Sequence, residues 1–107
     1  QTNAPVTDAP ALATRASSFL SEQLGKPEQY IMVAVDPVDI LVFAGSTDHA
    51  VFAELKSIGL SDSRTGTLSE AVCSFLGEEL GVPADRVYIE FADVPRSMWG
   101  WNSGTFA

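Results

Sequence analysis

Cysteine and histidine are almost absent from this chain, which has one of each among its 107 residues. Cys73 has no second cysteine with which to form an intramolecular disulfide. Together with His49 it provides too few ligands for a tetrahedral zinc site. We therefore expect no disulfide framework, no metal site and no cofactor, and we expect Cys73 to be a small residue of the core rather than a reactive thiol.

Basic residues are also scarce. Six Lys and Arg residues stand against 14 Asp and Glu residues, so the formal net charge at pH 7 is −8. Such a surface repels a phosphate backbone, and no local Lys/Arg cluster offsets that repulsion. Apolar runs long enough to cross a bilayer are absent, and the first residues do not form a charged segment followed by an apolar one. We expect no nucleic-acid partner, no membrane span and a soluble, cytoplasmic protein, for which export without a signal peptide stays open.

The most informative feature that is present is a repeat. Leu24–Ile31 and Leu80–Ile89 each place a Gly and then a Pro between a helical pattern and an apolar, strand-like one. The Gly provides the left-handed residue that ends a helix, and the Pro beyond it cannot continue that helix. The two copies begin 80 − 24 = 56 residues apart. This spacing favours a duplicated supersecondary unit.

Two amphipathic helices and four strands are predicted. Asp8 is expected to cap the first helix, which ends at Gly25. Thr67 and Glu70 have the spacing of a capping box for the second helix, which ends at Gly81. The predicted strands are Tyr30–Val35, Ile40–Ala44, Val51–Ile58 and Arg86–Phe91. The first two are apolar on successive residues, which is typical of strands covered on both faces.

The repeat also implies a strand that precedes the first helix. The second helix follows the strand at Val51–Ile58, and subtracting 56 places its counterpart at positions −5 to 2. We therefore expect a strand of about five residues upstream of Gln1. The expected fold class is α+β: a duplicated β-α-β unit forming a four-stranded mixed sheet with two helices on one face, with residues 1–107 as a single domain. The uncovered sheet face favours self-association with cyclic symmetry.

Four stretches, in this order and with these gaps, together make a specific signal. They are Gly25–Ile31, Lys56–Gly59, Pro83–Ile89 and Gly100–Ala107. On these stretches the chain resembles the macrophage migration inhibitory factor / D-dopachrome tautomerase superfamily over essentially its whole length. Details such as Trp99-Gly100-Trp101 are closer to microbial members than to vertebrate ones.

The resemblance implies a tautomerase fold that assembles as a homotrimer, with the three sheets closing into a central barrel. It also implies active sites between neighbouring subunits that interconvert the keto and enol forms of aryl pyruvates such as phenylpyruvate, without a cofactor. In that family the base is an N-terminal proline. A secondary amine there titrates near neutrality when a pocket and a nearby cation disfavour its protonated form, so that it can move a proton to and from carbon.

Carried over residue by residue, the resemblance gives Lys26 the role of the cation that holds the substrate carboxylate. Ile58 matches the position whose backbone N–H contacts the substrate, with Ser57 beside it. The matching pocket-wall positions are aromatic, and Tyr88 is the one contributed by the adjoining subunit. These aromatic positions are Tyr30, Tyr88, Trp101 and Phe106.

Three departures from the family pattern matter. No proline stands at residue 1, and we expect the catalytic proline upstream of Gln1; Pro5 cannot replace it, because a nitrogen inside a peptide bond is not basic. The chain as given then has no catalytic residue of its own. The paired cysteines of some cytokine members are also absent, which argues against thiol-redox activity. A pocket asparagine of vertebrate members corresponds here to Glu90, which is expected to weaken binding of an anionic substrate.

Other interpretations stay open at this point. Taken without the resemblance, Lys26 reads as a solvated lysine beyond a helix end, and the aromatic residues read as ordinary packing. The alternative function is a cytokine-like or host-modulating protein whose trimer exterior binds a receptor, with vestigial or no catalysis. A third alternative is an inactive form that lacks the first strand, which we expect to be destabilised or prone to aggregation because it exposes sheet edges.

Overall fold

The computed structural model describes residues 1–107. Two α-helices of 16 residues each, α1 (Ala9–Leu24) and α2 (Thr65–Leu80), alternate with two strands of eight residues, β1 (Val51–Ile58) and β2 (Val87–Val94). Two-residue strands β3 (Gly100–Trp101) and β4 (Gly104–Thr105) form a hairpin near the C-terminus. Short 3₁₀ turns cover Glu28–Tyr30, Asp62–Arg64, Ala84–Arg86 and Arg96–Met98.

The ends of α1 follow the sequence prediction. The Asp8 carboxylate accepts a hydrogen bond from the Ala11 backbone N–H at 3.0 Å, and Gly25 ends the helix with a φ of 64°. The predicted start of α2 is wrong, because the helix begins at Thr65 and uses no capping box at Thr67. It continues directly from the 3₁₀ turn before it, where the Ser61 hydroxyl accepts from the Ser63 N–H and satisfies the free backbone donor one turn earlier.

The repeat is present in the structure. The helices α1 and α2 start 65 − 9 = 56 residues apart and have the same length. Each is followed by a left-handed Gly, an extended Pro and a three-residue 3₁₀ turn, and these turns are also offset by 84 − 28 = 56 residues. The first half therefore has the local geometry of the second, up to the residue at which β2 begins.

The sheet is smaller than the four-stranded sheet expected from the sequence. β1 and β2 pair in parallel, with Val51 opposite Val87 and Ile58 opposite Val94. The segments at 31–36 and 40–42 have no ladder partner, and Thr2 alone bridges Pro37 on one side and Val51 on the other. Exposed and half-buried residues alternate along 31–36, as along a strand with one covered face. These residues lack strand pairing because the position between them and β1 is empty beyond Thr2.

The core lies between the helices and one face of the β1–β2 pair. Leu55, Leu60, Leu68 and Val72 form its larger buried cluster, and Ala4, Val51 and Val82 form a smaller one. The rings of Phe19 and Phe75 stack with centroids 4.6 Å apart and join α1 to α2. Both helices therefore cover the same sheet face, as predicted. No helix is long and apolar enough to cross a membrane.

Candidate functional site

Lys26 is held at the carboxyl end of β1 by its position just after a helix cap. Gly25 turns the chain out of α1, and the Lys26 backbone is fixed on both sides: its N–H donates to the Ser21 carbonyl at 3.1 Å, and its carbonyl accepts from the Ser21 hydroxyl at 2.5 Å. The side chain crosses to β1, where Nζ donates to Ser57 Oγ and to the Ile58 carbonyl oxygen, both at 2.7 Å. The sequence predicted these three residues for one site, and the structure brings them together.

The ammonium group of Lys26 has no carboxylate partner. Both of its hydrogen-bond acceptors are neutral oxygens, and neither of the ion pairs in the chain involves Lys26. Ser57 is buried, with 5% of its surface exposed, so the two acceptors lie where water competes little for the ammonium protons. An ammonium group held in this way has a third proton free to donate and keeps its full charge. It is therefore suited to binding an anion such as a carboxylate.

An aromatic wall, defined as Tyr30, Trp101 and Phe106, lies four residues beyond Lys26 in the first repeat. The Tyr30 ring meets Trp101 and Phe106 edge-on, at centroid distances of 6.0 and 5.8 Å. Trp101 and Phe106 stack on each other at 5.7 Å. The hairpin that carries Trp101 turns through Asn102 and Ser103, both with positive φ, so the C-terminus folds back onto Tyr30. Three of the four predicted aromatic positions thus form one surface, on which Tyr30 and Trp101 are 47% and 56% exposed.

Tyr88, the fourth aromatic position, lies apart from this wall. It projects from β2 on the face opposite the helices and is 63% exposed. Its ring contacts Phe43, with centroids 4.6 Å apart. Glu90 follows two residues later on the same face of β2 and stands in register with Glu54 of β1. The structure therefore groups Tyr88 with Glu90 but does not join either to Lys26 within one chain.

A strand slot, defined as the opening between residues 32–36 and 51–55, runs alongside β1. It has a volume of about 220 Å³ and a mostly apolar floor, to which Leu12, Phe19 and Leu76 contribute. Backbone groups of residues 32–35 make no backbone hydrogen bond, so one wall of the slot presents free donors and acceptors. Gln1 closes one end: its N–H donates to the Phe52 carbonyl at 2.8 Å, and its carbonyl accepts from the Phe52 N–H at 2.9 Å.

Two contributors to this region were not predicted. Ser21 fixes the backbone of Lys26, and Arg86 binds the loop next to Tyr88. The repeat gave a weak signal for Ser21, because it lies one helical turn before the Gly that ends α1. Arg86 stands in a quoted motif, but its acceptors are backbone carbonyls, which no side-chain pattern reveals.

Comparison with known proteins gives a consistent result. A family model described as macrophage migration inhibitory factor (MIF) matches residues 1–107. The macrophage migration inhibitory factor of Meriones unguiculatus is 36% identical over 99% of this chain and 94% of that protein. A crystal structure of a homologue from Prochlorococcus marinus is similar with a TM-score of 0.93 and 47% identity, over 100% of this chain and 96% of that one. The structure of the Trichinella spiralis factor gives 0.89 and 36%, over 97% and 94% of the two chains.

Proposed function

The chain belongs to the macrophage migration inhibitory factor family, and we propose that it is a cofactor-independent tautomerase that interconverts the keto and enol forms of phenylpyruvate-like 2-oxo acids. The observation that carries this proposal is the relation between the strand slot and Lys26. The slot runs along β1 and ends beside Ser57 and Ile58, the two residues that hold the Lys26 ammonium group.

The register of a strand in this slot follows from the pairing of Thr2. Opposite Val51 in the antiparallel pair, paired residue numbers add up to 2 + 51 = 53, and opposite Pro37 in the parallel pair they differ by 37 − 2 = 35. If the residue before Gln1 is numbered 0, the fifth upstream residue is −4. It would face 53 + 4 = 57 on one side and −4 + 35 = 31 on the other. A strand of about five residues would thus place its first amino group next to Ser57 and Lys26.

An N-terminal proline at that position is the proposed base. Its secondary amine would lie against an apolar slot and near the positive charge of Lys26. Burial and a like charge both disfavour the protonated form, so both lower the pKa of such an amine toward neutrality. A neutral amine can accept a proton at physiological pH and return it to the substrate.

The proposed reaction needs one proton transfer in each direction. With the substrate carboxylate on Lys26, the amine removes a proton from the carbon next to the carbonyl group, the electron pair forms the carbon–carbon double bond, and the carbonyl oxygen takes up a proton. The reverse steps regenerate the keto form. The aromatic wall of Tyr30, Trp101 and Phe106 gives the aryl ring of the substrate an apolar surface to pack against.

A homotrimer is part of the same proposal. Tyr88 is separate from the aromatic wall in one chain, which is what a pocket completed by a neighbouring subunit requires. The segment at 40–42 is an unpaired edge whose Ile40 and Val42 are 81% and 60% exposed, and such an edge is suited to pairing with another copy. With the first strand in its slot, each subunit would have the four-stranded mixed sheet, and three sheets would enclose the central barrel.

The test uses the natural protein, including any residues that precede Gln1. Its N-terminal residue is determined by intact mass and N-terminal sequencing, and the turnover of phenylpyruvate is followed by enol absorbance. We expect an N-terminal proline, and we expect its replacement by glycine to lower kcat/KM by about 10² or more, the range for loss of a general base. Undiminished turnover by a mature protein that begins at Gln1 would contradict the proline mechanism.

A further inference from the structure

Arg86 makes more hydrogen bonds than any other side chain of its region, and all of its acceptors belong to one loop. Nη1 donates to the Phe43 carbonyl at 2.7 Å, and Nη2 donates to the carbonyls of Ser46 and Asp48 at 3.2 and 2.8 Å. Nε donates to the His49 carbonyl at 3.4 Å. Arg86 forms no ion pair, so its charge is balanced by backbone dipoles alone.

The loop that Arg86 binds contains a tight hairpin turn. Phe43 and Ser46 exchange backbone hydrogen bonds at 2.9 and 3.0 Å, and the two residues between them have positive φ: 53° for Ala44 and 73° for Gly45. Glycine adopts this conformation freely, but an alanine is strained there. A turn with this strain persists where contacts from elsewhere in the fold hold it. Arg86 supplies those contacts from the end of the second repeat.

The ring of Phe43 lies in contact with both Arg86 and Tyr88. The Arg86 guanidinium carbon is 5.0 Å from the Phe43 ring centroid, and the Tyr88 ring centroid is 4.6 Å from it. Phe43 also ends the exposed edge segment that contains Ile40 and Val42. The three side chains, called here the Arg86–Phe43–Tyr88 stack, therefore connect a subunit edge with the aromatic residue proposed to enter the neighbouring pocket.

We propose that Arg86 is a positioning residue for that pocket: by fixing the loop at 43–49 and the Phe43 ring, it sets where Tyr88 enters the site of the neighbouring subunit. This inference rests on the proposed function, because Tyr88 meets substrate only in the assembled trimer. Arginine is suited to the task because its planar group can donate to several carbonyls and lie over a ring at the same time. A lysine keeps the charge but has no planar fork with which to span this set of carbonyls.

The test compares Arg86→Lys and Phe43→Leu with Arg15→Gln as the matched control, each in the natural full-length protein. Arg15 lies on α1 and is bonded only to Glu79, so its replacement removes a guanidinium group without touching the stack. Three properties are measured: KM and kcat with phenylpyruvate, the mass of the assembly, and the ¹⁹F NMR signals of 3-fluorotyrosine. The chain has two tyrosines, so Tyr30→Phe assigns both signals.

We expect Arg86→Lys and Phe43→Leu to raise KM about fivefold or more while kcat changes less than twofold and the assembly mass is unchanged. The Tyr88 signal is expected to shift or broaden in both variants, the Tyr30 signal to stay in place, and the control to match the unaltered protein. An unchanged KM in both variants contradicts the inference, whether or not the Tyr88 signal moves. If Arg86→Lys does not fold, Phe43→Leu alone decides.

The two proposals fail in different ways. Lack of turnover in the unaltered protein would contradict the proposed function and this inference with it. Normal turnover in the unaltered protein, together with unchanged KM values in the variants, would contradict the inference alone.

Discussion

The side-chain nitrogen of Lys26 lies 2.7 Å from the hydroxyl oxygen of Ser57, a buried residue 31 positions further along the chain. This hydrogen bond joins the end of the first helical unit to the end of β1. It also holds a cation at the closed end of the strand slot. The site therefore depends on two segments that are distant in sequence, and its parts can be tested separately.

Replacement of Lys26 by methionine keeps an apolar stem of similar length and removes the charge. A charge-assisted hydrogen bond to a carboxylate contributes about 1.5–3 kcal/mol, so we expect KM for phenylpyruvate to rise about tenfold or more. Steady-state kinetics measures this. Lys56→Met is the control, because Lys56 is exposed and its one partner is Glu54 at 3.7 Å. Equal effects of the two replacements would contradict the assignment of Lys26 to the substrate carboxylate.

Replacement of Glu90 by asparagine is expected to strengthen the binding of an anionic substrate. Glu90 shares the outer face of β2 with Tyr88 and stands opposite Glu54, and it has no cation partner. Removing this exposed carboxylate should lower KM for phenylpyruvate about two- to fivefold at low ionic strength, and the gain should shrink with added salt as charges are screened. Glu78→Gln on the exposed face of α2 is the control. An unchanged KM at low salt would show that Glu90 does not face the substrate.

Two glycines near the end of α2 should respond to alanine in opposite ways. Gly77 is inside the helix, and a Cβ there would meet its nearest neighbour, the Val82 carbonyl oxygen, at an ordinary 3.6 Å. Gly77→Ala should therefore stabilise the protein by about 0.5–1 kcal/mol. Gly81 has a φ of 70°, so Gly81→Ala should cost about 1 kcal/mol from backbone strain alone. Urea denaturation measures both, and stabilisation by Gly81→Ala would be inconsistent with its left-handed conformation.

The ion pair between Arg15 and Glu79 should give a small, pH-dependent contribution to stability. Hydrogen bonds from the Arg15 guanidinium lower the pKa of the Glu79 carboxyl group in the folded protein. Its stabilising effect is therefore present above the pKa of an unfolded glutamate, about 4.3, and is lost as the pH falls through the lower folded pKa. Because Arg15 is exposed, we expect Glu79→Gln to lower the thermal midpoint at pH 7 by about 2 °C or less.

The difference in midpoint between Glu79→Gln and the unaltered protein should disappear in acid. Glu78→Gln is the neighbouring control, since Glu78 is exposed and has no ion-pair partner. A difference that persists undiminished at low pH would show that Glu79 acts through packing and not through its charge.

Local features of the fold were predicted from the sequence, and non-local pairing was not. Asp8 and Gly25 act within one helical turn, so their spacing alone located α1. The start of α2 was misplaced because Ser61 and the 3₁₀ turn before it satisfy backbone donors that the pattern at Thr67 and Glu70 was expected to satisfy. The segment at 31–36 has the alternation of a strand, but whether it is paired depends on what lies between it and β1.

The candidate site was predicted in part for the same reason. Lys26, Ser57 and Ile58 were grouped by family resemblance, and the structure joins them by hydrogen bonds. Tyr88 was assigned to the same pocket, yet its place in one chain is beside Phe43. The role of Arg86 depends on carbonyl groups whose directions are set by the loop at 43–49, and sequence carries no direct record of these directions.

The strand slot also makes this chain suitable for fragment complementation. Its free backbone groups, apolar floor and fixed register at Thr2 specify both the orientation and the alignment of an added peptide. A separately synthesised peptide ending in Asn- or Gln-compatible register ahead of Gln1 would be captured by the same contacts as a covalently attached segment. Recovery of activity on mixing the two pieces would then report their association, so the protein can act as its own binding sensor.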